Sequence, residues 1–146
     1  MRIGVILASH GEFARAALGA VEMIAGKQAD VETLSLTAEK SLEAFEDEMA
    51  AAYAKLSSEC DRVVALCDIY GGTPFNVLTR CLAKGMDMIA YTGLCMPVVV
   101  ELLLTRDGLE SDEAIRTELT AAHAQAQQEI KAPVATTPDE EDELDL

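Results

Sequence analysis

Two residues that could do chemistry each stand at the end of an apolar run. Arg2 to Ala8 leads into Ser9-His10-Gly11, and Arg62 to Cys67 leads into Asp68. Such runs, rich in β-branched residues, read as strands buried on both faces of a parallel sheet. A polar residue closing one of them stands at the rim of the core. After Asp68 the chain continues Ile69-Tyr70-Gly71-Gly72-Thr73-Pro74-Phe75-Asn76. The two glycines let the backbone turn tightly and come close to a ligand, Thr73 is a good N-cap, and Pro74 suits the first helical position. A helix opening there leaves its first amides unpaired, and with the helix dipole these attract a phosphate or carboxylate. Asp68 is out of place beside an anion unless something cationic or proton-bearing accompanies it. An imidazole held by a carboxylate at one ring nitrogen has the other nitrogen free as a nucleophile. A phosphoryl group taken up there could be held by the amides from Gly72 to Phe75 and by the Thr73 hydroxyl, with no metal. The pattern therefore reads as a phosphoryl acceptor: His10 the nucleophile, Asp68 its orienting carboxylate, and Gly71, Gly72, Thr73 and Phe75 around the phosphoryl oxygens.

Taken singly, each piece has a plainer reading. A lone histidine can cap a loop, an aspartate can form a turn or favour a helix start, and Gly-Gly-Thr-Pro can be an ordinary strand-to-helix turn. It is their combination that points to chemistry. No GxxxxGK[ST] or GxGxxG is present. His123, mid-helix among alanines and glutamines, reads as surface, and Glu12 as a solvated first-turn residue. Met23, Met49, Met86, Met88 and Met96 read mostly as core. The cysteines at 60, 67, 81 and 95 form no CxxC and read as buried free thiols. No metal and no cofactor are expected.

The elements that must position these residues can be read in order. The first strand runs to Ala8, and a helix from Glu12 or Phe13 to Ala25 follows, with Phe13, Ala16, Ala17, Ala20 and Ile24 on its inner face and Gly26 as its stop. Val31 to Leu36 alternates as an edge strand. A helix after Ser41 turns Leu42, Phe45, Met49, Ala52, Tyr53 and Leu56 inward. Arg62–Cys67 is the third strand, Pro74–Ala83 the third helix, and Asp87–Thr92 the fourth strand. Val98–Thr105 reads as a strongly apolar buried helix, and Ser111-Asp112 caps a last helix reaching about Gln128. Four strands alternating with helices predict an α/β fold: a parallel four-stranded sheet of order 2-1-3-4, with helices on both faces and ligands at the carboxyl ends of the strands. In that order the switch point falls between the strands ending at His10 and Asp68.

Composition limits the partners. The net charge of −15 argues against nucleic acid, since phosphate contacts need clustered Lys and Arg. Six of the acids lie between Asp139 and Leu146, leaving 20 acids against 11 bases in the rest, so the body is acidic as well. With no signal-like start and no apolar run of about 18 residues, neither secretion nor membrane insertion is expected and the predicted location is the cytoplasm. One domain over residues 1–133 and an acidic disordered tail over 134–146 are expected.

Val5 to Gly11 (VILASHG), the loop from Asp68 to Asn76, and Gly93 to Glu101 with Pro97 together resemble the IIA component of the mannose/fructose/sorbose family of the bacterial phosphoenolpyruvate:sugar phosphotransferase system. The resemblance extends roughly from Met1 to Pro133. It implies that His10 takes a phosphoryl group from the phosphorylated carrier HPr and passes it to a histidine of a IIB component. Asp68 and Thr73 match the orienting carboxylate and the Ser/Thr beside the phosphate. It also implies a homodimer in which a segment near the C-terminus, here Gln128 to Val134, adds a strand to the partner's sheet. Two departures stand out: Cys95 occupies a position that is commonly Asn, and the acidic end replaces a linker to a IIB domain, which predicts a free-standing IIA. Two other readings stay open: a phosphotransfer subunit for a dihydroxyacetone kinase, and a regulatory module that binds a small anion without a role in transport.

Overall fold

The computed structural model describes residues 1–134; the predicted acidic tail lies, from residue 135 onward, outside them. The elements alternate: β1 (Ile3–His10), α1 (Phe13–Ala25), β2 (Val31–Leu36), α2 (Leu42–Glu59), β3 (Arg62–Cys67), α3 (Thr73–Ala83), β4 (Met88–Tyr91), α4 (Met96–Thr105), a short 3-10 turn (Arg106–Gly108) and α5 (Asp112–Ala124). All strand pairs are parallel and the order is β2-β1-β3-β4, as the sequence predicts. The two central strands are the two apolar runs. Their side chains feed both faces, because each face is covered. Ile3, Val5, Leu7, Val64 and Leu66 pack with α1, α4 and α5, while Ile6, Ala8, Val63, Ala65 and Cys67 pack with α2 and α3.

Two helix starts are capped by serines. Ser41 accepts the Ala44 amide at 3.0 Å and Ser111 that of Ala114 at 3.1 Å. α2 buries Phe45, Met49, Ala52 and Leu56 as its spacing predicts, but Leu42, expected on the same face, is exposed. The opposite end of the sheet from His10 is tied by Arg106, only 8% exposed, whose guanidinium donates to the carbonyls of Ile3 and Ala29 at 3.0 and 2.6 Å.

Several expectations need correction. α1 buries Ala14, Ala17 and Val21, so its inner face is turned by one position and Phe13 (50% exposed) and Ile24 (65%) face outward. So many α1 positions are small and apolar that hydropathy alone cannot choose a face; docking against α4 does. Met23 (88%) and Met96 (38%) are exposed as well and are not core residues. The apolar α4 buries Val98, Val99, Leu102 and Leu103 but leaves Leu104 out. β4 is only four residues long, and α5 stops at Ala124. Gln128 to Val134 is neither helix nor strand in this single chain, with Ile130 and Val134 almost fully exposed.

Candidate functional site

β1 and β3 lie side by side with Ala8 opposite Cys67, so Asp68 leaves β3 beside the end of β1, which runs on along β2 to His10. That register brings His10 and Asp68 together although 58 residues separate them. Asp68 Oδ2 lies 2.7 Å from His10 Nδ1 and also accepts the backbone N–H of His10 at 2.9 Å. Its other oxygen accepts the Ile69 amide at 3.0 Å. One carboxylate thus grips the histidine by both main chain and ring. The main-chain half of that grip is invisible in sequence.

Partial burial pushes the Asp68 carboxyl upward in pKa, but the donors from His10 and Ile69 outweigh it and hold the group below the ordinary value of 3.8. Ionised at neutral pH, Asp68 is purely an acceptor. The neutral ring must then carry its proton on Nδ1, and the lone pair sits on Nε2. With 47% of its side chain exposed, the imidazole can be reached by a second protein.

The loop after Asp68 closes over that ring. Gly71 has φ +82°, a left-handed conformation that glycine adopts without strain. Gly72 lies against the Cε1–Nε2 edge of His10, since a Cβ built there would be 2.8 Å from Cε1 and 3.4 Å from Nε2. α3 opens one residue earlier than predicted. Gly72 is its N-cap, Thr73 its first residue, and no side chain caps it. The hydroxyl expected to cap the helix therefore stands inside its first turn, partly buried. The first amide with a helical partner is Asn76, which donates to Gly72 O at 2.9 Å. Those of Thr73 and Phe75 precede it and are available to an anion. The Phe75 ring packs at a 45° tilt against the exposed Tyr70, centroids 4.4 Å apart, which braces the loop from outside. All six predicted site residues, His10, Asp68, Gly71, Gly72, Thr73 and Phe75, thus lie in one neighbourhood.

The other candidates lie apart from it. Glu12 is exposed and 3.9 Å from Arg15, an ordinary surface pair. His123 is exposed, and it covers Gly93 beside a cavity of about 210 Å³ between the end of β4 and α5. Cys67 and Cys81 are buried free thiols, whereas Cys60 and Cys95 are only partly buried, Cys95 as the N-cap of α4. Burial pushes the Cys67 thiol up to about 11, so it is inert as a nucleophile.

Ser9 is the supporting residue that sequence reading missed. Fully buried, its Oγ accepts the Ala14 amide at 2.7 Å and so ties the start of α1 to the strand end that carries His10. A serine five residues before the amide it accepts is not a standard cap spacing, so no motif announced it. Ser9→Ala strands that amide. The expected cost is about 1–3 kcal/mol, read as a lower midpoint in urea; an unchanged midpoint would show that the bond contributes nothing.

Fold and site together define a doubly wound α/β protein with a histidine–aspartate pair at its switch point. The profile of the family described as "PTS system fructose IIA component" matches residues 4–119. The "PTS system fructose-specific EIIA component" of Bacillus subtilis strain 168 is 27% identical over 129 residues, covering 88% of this chain and 85% of that protein. The "PTS system mannose-specific EIIAB component" of Escherichia coli strain K12 is 30% identical over 107 residues, which are 73% of this chain; the match spans only 33% of that longer protein. Among solved structures, the mannose/sorbose-specific IIA subunit of the phosphotransferase system from Enterococcus faecalis superposes with a TM-score of 0.81 at 28% identity, covering 93% of this chain and all of that one. The chain belongs to this family of IIA components of the phosphoenolpyruvate:sugar phosphotransferase system, the family its motifs resemble. Among the described residues no helix is long and apolar enough to cross a membrane.

Proposed function

We propose that this chain is a histidine phosphocarrier that accepts a phosphoryl group from phospho-HPr on His10 and passes it to a IIB component. The observation that carries the reading is the imidazole itself, pinned through Nδ1 to Asp68 at 2.7 Å with its Nε2 edge against the amino end of α3. In the reaction the Nε2 lone pair forms an N–P bond as the donor's N–P bond breaks. The positive charge gained by the ring is balanced by Asp68, and the Nδ1 proton stays between them. The phosphoryl oxygens take the amides of Gly72, Thr73 and Phe75, the turn at Gly71 aims those donors, and the Thr73 hydroxyl adds another. Transfer onward is the same step in reverse, with a IIB histidine as acceptor. An exposed ring suits a protein donor.

A homodimer is part of this proposal. β4 is an edge strand, and among the described residues nothing pairs with its outer side. Cavities of about 210 and 90 Å³ flank its end, both lined by Tyr91 and Thr92. The segment from Gln128 to Val134, with its exposed Ile130 and Val134, is a suitable strand to dock there from a second copy. The functional unit is then residues 1–133, two copies acting together.

The test is incubation with phosphoenolpyruvate, enzyme I and HPr, followed by intact mass. One phosphoryl group per chain is expected, lost in acid and stable in alkali. An unchanged mass would overturn the carrier and leave the loop as a plain anion site.

A further inference from the structure

We propose that Gly72 is a positioning residue for His10: the missing side chain is what allows the imidazole to lie on Asp68. This rests on His10 as the phosphoryl acceptor, although its decisive readout needs no phosphoryl transfer. Adjacent glycines in this loop do different jobs. Gly71 sits at φ +82° with open space around its α-carbon, so glycine is required there for conformation. Gly72 sits at φ −81° and ψ 177°, an extended conformation open to any residue, so glycine is required there for room.

The room is taken by the ring. A Cβ on Gly72 would stand 2.8 Å from His10 Cε1, 3.4 Å from Nε2 and 3.3 Å from Ile69 Cγ1. Carbon atoms do not approach to 2.8 Å without something moving. Ile69 is 56% exposed and can swing aside, but that leaves the contact with Cε1 unrelieved. The backbone at 72 is held by the bond from Asn76 at 2.9 Å and by the buried Pro74 in the next turn. His10 is the group with somewhere to go, because its ring is 47% exposed and tied by a single side-chain bond. A methyl group at 72 therefore leaves the fold in place and swings the imidazole away from Asp68. The ring then loses the partner that keeps its proton on Nδ1, and Nε2 leaves the amides of α3.

The experiment compares wild type, Gly72→Ala and Gly71→Ala with nitrogen-15-labelled histidine, observing the ring nitrogens at alkaline pH with no partner protein present. Wild type should show His10 protonated on Nδ1 alone, with His123 as the internal reference; Gly71→Ala, which strains the turn, should lower the melting temperature. Gly72→Ala should melt near wild type, show its His10 proton shared between both nitrogens, and accept phosphoryl at least about tenfold more slowly. Wild-type ring nitrogens in Gly72→Ala would overturn the proposal whatever the transfer rate. Failure of Gly72→Ala to fold would overturn it too, since the ring is argued to yield before the backbone. Lack of phosphorylation in the wild type would sink the carrier and leave the ring measurement intact.

Discussion

His10→Ala, mixed with phosphoenolpyruvate, enzyme I and HPr, is expected to gain no phosphoryl mass while staying folded. Total loss is predicted because the reaction needs a nitrogen lone pair beside the α3 amides, and alanine offers none. His123, the other histidine, sits against Gly93 beyond the end of β4, with no carboxylate partner among the described residues. Folding should survive because the ring is half exposed and Asp68 keeps the two main-chain donors at 2.9 and 3.0 Å. The melting temperature should move by only a few degrees. Undiminished phosphorylation in the variant would place the acceptor elsewhere and end the assignment of His10.

Asp68→Asn should slow transfer by about two to four orders of magnitude without preventing it. An amide can present either an acceptor or a donor to Nδ1, so the tautomer is no longer enforced, and no charge remains to balance the ring as the N–P bond forms. The site's pH dependence has a definite sign. The carboxyl is held below 3.8 in the folded protein, so its contribution is complete above that value and is lost as pH falls through the lower folded value. The difference in melting temperature between wild type and Asp68→Asn should therefore be constant from pH 7 to about pH 4 and shrink below it. A difference already fading near pH 6 would mean that the carboxyl is not held down. Equal transfer rates would remove Asp68 from the chemistry.

The parts of this molecule set by pattern could be read from the chain. Ile3–Ala8 and the stretch from Val63 to Cys67 carry no polar side chain because helices cover both faces of the central strands. Strand–helix alternation predicts a parallel sheet but leaves the strand order free; it is the order β2-β1-β3-β4 that brings His10 next to Asp68. What escaped reading depends on contacts between distant residues. The α1 face was missed because Ala14, Ala16, Ala17 and Ala20 are interchangeable by hydropathy; only packing separates them. Thr73 looked like the cap, yet Gly72 is the N-cap and Thr73 the first helical residue, and the His10 ring occupies the space a side chain at the cap would need. The Ser9 bond and the main-chain bond from His10 to Asp68 carry no local signature. They exist only once the sheet is complete.

That dependence on the finished sheet gives the protein an order of assembly. Fifty-eight residues of chain must emerge and close on themselves before Asp68 can reach His10, and α3 follows later still. During synthesis, an incomplete chain displays a histidine with neither its orienting carboxylate nor its anion cradle. On the proposed function, phosphoryl transfer to His10 would therefore wait until β3 and α3 are in place, since both the carboxylate and the amides of the site come from them.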